Sequence, residues 1–387
     1  MNAFAKPPLP TASRNAGIDA LRASLTLLVV FHHAAIAYGG MGSWFYKEIE
    51  PSSAPSSLIL TLFVAYNQAF FMGLFFLIAG SLTPGAIARH GAQEFLRERL
   101  LRLGAPLLVF ILTLGPITVA LAETANGHAF LATLGWLASH RAIIPGPMWF
   151  VEALLIFSAA YVALRAAVGP ERLEKARPFP SNAVLAMSAL GTGAAAFLLR
   201  FRWPVGAEFL ALQFGFFASY VVLFLAGCIG AKGHWLKNVP ANPLITWRRV
   251  SLYAALGFPV GLVVAAHASN AAQASSSGGW SVAAAFYAFW EPLFAWGVIL
   301  SLLVFFQRRF VALGPAWQKL ARRAYLIYII HPPILVGVSL AMRALGAGAG
   351  QVRARGHGGL RSLLHRRRSA ARNPGRPARR LAGLFPE

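Results

Sequence analysis

The sequence is poor in charged residues, in cysteine and in the motifs of soluble enzymes. Charged side chains make up 12% of its 387 residues, which is about half the share found in an ordinary soluble domain. Hydrophobic residues make up 57%, so polar side chains are too few to cover a water-soluble body. The single cysteine, Cys228, excludes an intrachain disulfide framework and a cysteine-based zinc cluster. His-Glu-x-x-His patterns, Walker loops and Gly-x-Ser-x-Gly elbows are also absent from the sequence, so no metal is predicted.

Long apolar runs account for most of the chain. Runs of about 18 apolar residues or more indicate helices that cross a bilayer. The sequence therefore predicts an all-α, polytopic transmembrane helical bundle with the lipid bilayer as its main partner. Nine spans are predicted, at residues 19–38, 58–82, 104–122, 147–168, 183–199, 209–231, 250–268, 281–306 and 324–346.

Basic residues concentrate in alternate loops between these runs. The loops after the second, fourth, sixth and eighth spans hold most of the lysines and arginines, whereas the others hold few, such as Arg200 and Arg202 after the fifth span. Positively charged loops favour the cytoplasmic side of a membrane. The alternation therefore predicts a cytoplasmic N-terminal segment, residues 1–18, followed by a transmembrane domain, residues 19–346.

The net charge of +23 is not the signature of a nucleic-acid partner. Residues 351–387 hold ten arginines and one acid, Glu387, and contribute +9 of that charge. The tail, residues 347–387, is rich in Gly, Ala, Pro and Arg without apolar periodicity, which is typical of disorder. With nine spans it would lie outside, against the charge rule. We hypothesise that the reading frame departs from the native one after about Gly346 and that a final span has been lost.

The first span carries a candidate functional face. Arg22 and His33 lie eleven residues apart, close to three helical turns, so they share a face at an axial distance of about 16 Å. This spacing puts Arg22 near the inner interface and His33 beyond the bilayer midplane. A neutral imidazole suits a general base for a hydroxyl, and a guanidinium suits phosphate groups. Asp19 lies about 21 Å from His33, too far to orient its imidazole.

Each of these residues also has a structural interpretation. Arg22 has the position of a snorkelling residue, and His33 that of an interhelical hydrogen-bonding residue. Two carboxylates, Glu152 and Glu291, lie near the outer ends of predicted spans. The partner of each is either His33 or a basic residue. We take His33 and Glu152 as the candidate catalytic residues.

Two later segments complete the candidate set. Arg99 and Arg102 lie one turn apart at the inner end of the third span, where two guanidiniums would suit a polyphosphate ligand; a belt facing lipid phosphates is the alternative. His331 precedes Pro332 and Pro333, a sequence that predicts a local break in the last helix and a place at a cavity.

Five segments resemble the membrane-bound acyltransferase-3 family, and they occur in the order expected for that family over about residues 14–342. The opening Arg-x10-His motif is matched by Arg22 and His33, and the Arg-x-x-Arg motif by Arg99 and Arg102. Ala79 stands where the family usually has serine, and the family core usually has ten spans rather than nine. The other matching segments are Phe75–Gly80, Met148–Phe150 and Tyr325–Pro332.

The resemblance implies an O-acyltransferase of the bacterial inner membrane. Such proteins move an acyl group, commonly acetyl or succinyl, from cytoplasmic acyl-CoA to a hydroxyl of an extracytoplasmic glycan, lipid-linked sugar or antibiotic. It assigns catalysis to His33 and donor binding to Arg22, Arg99 and Arg102, and it includes glucan-biosynthesis succinyltransferases as neighbours. A secondary transporter of an anionic solute and a structural assembly partner are the alternative functions.

Overall fold

The computed structural model describes residues 15–268 and 276–346, and in these ranges the chain is helical without any β-strand. Two isolated bridges, Tyr38 with Ile49 and Phe209 with Leu212, are the only strand-like pairings there. The helices are α1 (Ala16–Ala37), α2 (Pro55–His90), α3 (Ala92–Thr124), α4 (Phe130–Ser139), α5 (Trp149–Val168), α6 (Pro170–Leu173), α7 (Asn182–Arg202), α8 (Phe217–Gly230), α9 (Ala241–Ala268), α10 (Val282–Arg309) and α11 (Pro315–Ala344).

Eight of the described helices are long and apolar enough to cross a membrane. They coincide with eight of the nine predicted spans. These helices are α1, α2, α3, α5 together with the 3-10 turn Gly146–Met148 before it, α7, α9, α10 and α11. The sixth predicted span, residues 209–231, differs, because Phe209 and Leu212 pair across a turn and the apolar helix is confined to Phe214–Gly230. Polytopic helical architecture is confirmed.

The helix ends follow from local sequence. The side chain of Asn15 accepts a hydrogen bond from the backbone of Ile18, which caps α1 and starts it three residues before the predicted position. At the C-terminal end of α2, Gly91 has φ +78°, a left-handed value that favours glycine. This residue separates α2 from α3. The second span thus extends to His90 rather than stopping at residue 82.

The helix α3 contains two π-helical segments, Leu100–Gly104 and Phe110–Leu114. Each segment is followed after one residue by a proline, Pro106 or Pro116. A proline cannot donate the usual backbone hydrogen bond and its ring crowds the preceding turn, so a widened turn before it relieves that crowding. The first π segment begins directly after Arg99 and contains Arg102, which alters the angle between their side chains.

Close backbone contact joins α2 and α8. A Cβ on Gly80 would lie 2.1 Å from the carbonyl oxygen of Phe224, and one on Gly227 would lie 2.2 Å from that of Leu77. Only glycine permits this approach, as is common where helices cross in membranes. The crossing explains why the Phe75–Gly80 segment ends in glycine.

The last helix continues through Pro332 and Pro333, so the predicted break in it is wrong. The chain divides into two units at Val336, and of the second unit, Gly337–Glu387, the described residues are 337–346, which end α11. The predicted tail, residues 347–387, and residues 1–14 of the predicted N-terminal segment lie outside the described residues.

Candidate active site

The site is centred on two histidines from opposite ends of the sequence. Nδ1 of His33 on α1 lies 3.0 Å from Nε2 of His331 on α11. The two rings are nearly parallel, at 7°, with centroids 5.1 Å apart. His331 is buried and His33 is half-buried, so the pair is held inside the protein with one ring still accessible.

The proline after His331 determines how its ring is held. In a regular helix the residue at 332 would donate its backbone N–H to the carbonyl of Tyr328, but Pro332 has no N–H. Nδ1 of His331 lies 2.6 Å from that carbonyl oxygen and takes the place of the missing donor. A carbonyl only accepts hydrogen bonds, so Nδ1 of His331 carries the hydrogen.

This contact assigns the tautomers of both rings. With both imidazoles neutral, Nε2 of His331 is an acceptor, because its Nδ1 carries the hydrogen. Nδ1 of His33 is then the donor in the bond between the two rings. Nε2 of His33 is consequently left with its lone pair and without a hydrogen, which is the state that a general base requires.

A loop after α1 places Trp44 over the histidine pair. The loop folds back on the end of α1, since Gly40 and Glu48 donate backbone hydrogen bonds to Ala35 and Ala37. The indole ring of Trp44 stacks on His33 with centroids 4.0 Å apart and 15° between the planes. Its Nε1 is buried and has no hydrogen-bond partner among the described residues. The ring that covers His33 therefore carries an unused hydrogen-bond donor.

His32 does not share this role. It lies next in sequence to His33 but turns toward Phe71, with ring centroids 4.8 Å apart. Its Nδ1 is buried without a partner in the described part of the chain. The structure thus separates two adjacent histidines into one that contacts His331 and one that packs in the core.

The arginines of the sequence motifs are grouped around Arg99. Arg99 interacts electrostatically with Arg22 and with Arg102, and its guanidinium lies 5.1 Å from the centroid of the Phe95 ring. Arg102 is turned outward, with 77% of its side chain exposed, and lies 4.0 Å from Glu98. Arg22 is exposed at the start of α1. The helices α1 and α3 therefore build one cationic cluster, to which Arg102 contributes from the edge.

Of the two carboxylates with His33 or a basic residue as alternative partners, Glu291 has a basic residue, and Glu152 has neither in the described part of the chain. Glu291 forms a buried ion pair with Arg200, whose Nε also donates to the carbonyl of Gly215 at 3.1 Å. Glu152 lies in the first turn of α5, half-buried, and has no hydrogen bond or ion pair within the described ranges. Its assignment to catalysis stays a prediction.

Arg200 is a correction to the loop pattern. The basic-loop pattern assigns it to a loop, but it lies in the last turn of α7 and is fully buried. Its guanidinium stacks over Phe216 and Tyr287 at 5.2 and 5.1 Å. The signal was present in the sequence, because Arg200 directly follows an apolar run and Glu291 lies inside another, and opposite charges at membrane depth usually pair.

Two site residues were not assigned from the sequence. His331 was expected to face a cavity, but its bond to His33 joins positions 298 residues apart and no spacing rule predicts it. Trp44 lies in a loop without a motif. Among the described residues no group of three or more His, Cys, Asp or Glu side chains is placed to hold a metal ion.

Comparison with known proteins agrees with the residue-level resemblance. The acyltransferase domain model of the acyltransferase-3 family matches residues 15–352. The glucans biosynthesis protein C of Salmonella gallinarum is 30% identical over 182 residues, 44% of this chain and 44% of that protein. The protein of the same name from Escherichia coli is 28% identical over 166 residues, 40% of either chain. The chain thus spans less than half the length of the curated relatives it matches, and no solved structure matches it.

Proposed function

The chain belongs to the acyltransferase-3 family, and from that premise we propose that it is a membrane acyltransferase with His33 as its general base. The proposed reaction moves an acyl group, acetyl or succinyl, from cytoplasmic acyl-CoA to a hydroxyl of a carbohydrate outside the cytoplasm. The protein is a multi-pass membrane protein with eight apolar helices of spanning length in its described part. The alternating basic loops support a cytoplasmic N-terminus, and the bacterial relatives support a location in a bacterial inner membrane.

The observation that carries the proposal is the hydrogen bond between His33 and His331. It supports a base at Nε2 of His33, since the bond at Nδ1 leaves that nitrogen as the acceptor. When Nε2 takes a proton, His33 becomes an imidazolium whose Nδ1–H donates to the neutral ring of His331. A hydrogen bond from a charged donor is stronger than a neutral one, so the pair stabilises the charged intermediate.

The chemistry follows from that proton acceptor. Nε2 of His33 removes the proton of the acceptor hydroxyl as its oxygen attacks the thioester carbonyl carbon. The new C–O bond forms and the C–S bond then breaks, and the imidazolium returns its proton to the departing CoA sulfur. The indole of Trp44 stacks on the same imidazole and has an N–H that is free within the described part of the chain, and we infer that this donor serves a substrate oxygen.

The arginine cluster fits the phosphates of acyl-CoA. Arg22 and Arg102 both repel Arg99, and an anionic ligand would relieve that repulsion. Arg22 and His33 lie on one helix at an axial distance of about 16 Å, which is of the same order as the length of the pantetheine arm. This match supports a donor with its phosphates at the cluster and its thioester near His33.

The acceptor is proposed from the relatives. The relatives carry the name glucans biosynthesis protein C, which describes those proteins. For this chain we propose only that the acyl acceptor is a carbohydrate, such as a glucan.

The test is acyl transfer in reconstituted vesicles. Purified protein is supplied with radiolabelled acetyl-CoA or succinyl-CoA on one side and an oligoglucan on the other, and ester-linked label in the glucan is counted. Wild type should transfer label, and His33→Gln should lose about two to four orders of magnitude in rate. The matched control His32→Gln should stay near wild type.

Equal transfer by wild type and His33→Gln would refute the assignment of His33 as the general base. Movement of an anionic solute into the vesicles without any new ester would favour the transporter instead.

A further inference from the structure

A basic groove of about 430 Å³ opens between α9 and α10, apart from the histidine site. Its lining includes Leu244 and Arg248 from α9, and Val304, Phe305, Arg308 and Arg309 from α10. We call it the α9–α10 groove. None of these residues belongs to the family motifs or to the proposed catalytic machinery.

The groove has its origin in how the two helices meet. A Cβ on Gly297 would lie 2.0 Å from the carbonyl oxygen of Trp247, so the helices touch at that level. The lining residues of α10 lie on the C-terminal side of this contact, between it and the end of the helix at Arg309. On α10 the pairs Val304 with Arg308 and Phe305 with Arg309 are four residues apart and share a face.

The lining divides into an apolar part and a charged end. Phe305 is 56% exposed, and Val304 and Leu244 are half-buried beside it. Arg248, Arg308 and Arg309 are exposed, and in the described ranges none of the three forms an ion pair. Three uncompensated guanidiniums beside one apolar slot favour an anion that carries a hydrophobic chain.

We propose that the α9–α10 groove binds an anionic phospholipid. Its phosphate contacts the guanidiniums of Arg248, Arg308 and Arg309 at the end of the span, and an acyl chain lies along Phe305 and Val304. Basic pockets between membrane helices near the interface are suited to such headgroups. This inference is independent of the acyl-transfer proposal, because it uses none of the same residues.

The experiment compares lipids on one purified protein. The midpoint of thermal unfolding is measured in detergent after addition of phosphatidylglycerol or phosphatidylcholine, and bound lipid is counted by native mass spectrometry. Phosphatidylglycerol should bind and raise the midpoint, whereas phosphatidylcholine should have little effect. Each basic residue near an anionic lipid contributes several-fold in affinity, so neutralising all three should weaken binding roughly a hundredfold.

The variants separate the groove from general surface charge. The groove variant combines Arg248→Gln, Arg308→Gln and Arg309→Gln. The matched control combines Lys319→Gln, Arg322→Gln and Arg323→Gln, three exposed basic residues of α11. The groove residues are exposed, so the variant should fold, which the midpoint in phosphatidylcholine checks. Phe305→Ala should weaken phosphatidylglycerol binding through the loss of chain contact.

Three results would overturn the proposal. The first is equal binding of phosphatidylglycerol by wild type and groove variant. The second is an equal rise in midpoint with inorganic phosphate or with glycerophosphoglycerol, which has no acyl chains. The third is a loss of acyl-CoA binding but not of phosphatidylglycerol binding in the groove variant, which would make the groove a donor site.

Discussion

Replacement of His331 tests whether the second histidine acts through the first. His331 accepts a hydrogen bond from Nδ1 of His33 and is anchored by the carbonyl of Tyr328. His331→Leu keeps a similar volume but removes the acceptor, so the imidazolium of His33 loses its partner. A hydrogen bond to a charged group contributes about 1.5–3 kcal/mol, which converts to a loss of roughly 10- to 100-fold in kcat.

The assay is CoA release together with transfer of label to the glucan in reconstituted vesicles. The KM for acyl-CoA should stay unchanged, because His331 contacts His33 and Tyr328 rather than the proposed donor cluster. His331→Gln should recover much of the activity, since its amide has both a donor for the carbonyl and an acceptor for His33.

Non-additivity provides the sharpest form of this prediction. The double variant His33→Gln with His331→Leu should be no slower than His33→Gln alone, because residues that act as one unit lose their effect together. Full activity of His331→Leu, or losses that multiply in the double variant, would refute the positioning role. His32→Gln is the control for folding. It changes the neighbouring buried histidine, whose Nδ1 has no hydrogen-bond partner among the described residues.

Three further predictions concern the donor cluster and the packing of the bundle. Arg99→Gln should raise the KM for acyl-CoA roughly 10- to 100-fold with little change in kcat, since a charged hydrogen bond to phosphate is lost; an unchanged KM would separate Arg99 from the donor. Gly80→Ala should lower the free energy of unfolding by about 1–3 kcal/mol or more, because the added methyl overpacks against backbone. The control is Gly191→Ala, whose added Cβ has nothing within 4 Å. Its free energy of unfolding should stay within about 1 kcal/mol of wild type. Arg200→Met should cost about 3–5 kcal/mol because the Glu291 carboxylate is left buried and unpaired, and adding Glu291→Met should recover most of it; both are measured by unfolding in detergent.

Much of the fold was predictable because lipid imposes a simple rule. A helix that crosses a bilayer needs about 20 apolar residues, and eight of the nine predicted spans coincide with described helices of that kind. The predicted span at 209–231 is shortened to the apolar helix Phe214–Gly230, because its apolar composition continues through a turn at Phe209 and Leu212. Composition does not distinguish an apolar turn from an apolar helix.

Pro332 and Pro333 show where a local rule was overridden. Two prolines remove two backbone donors, and the sequence therefore predicted a break in the last helix. The side chain of His331 replaces one of those donors at the carbonyl of Tyr328, and the helix continues. The same contact orients His331 toward His33, so the residue that rescues the helix also builds the site.

The site was predictable only in part. The Arg22–His33 spacing follows from helical geometry within one span, and the cluster with Arg99 follows the family pattern. The bond from His33 to His331, the stacking of Trp44 and the pairing of Arg200 with Glu291 are long-range contacts. They depend on how the helices pack, which hydrophobic periodicity does not encode.

The protonation of His33 is the most direct test of the central claim. Nitrogen NMR of histidine-labelled protein in lipid reports which ring nitrogen carries the hydrogen, and the signals of His33 are those lost in His33→Gln. The account predicts a hydrogen on Nδ1 and a bare Nε2 at neutral pH. A hydrogen on Nε2 of His33, with Nδ1 bare, would contradict it.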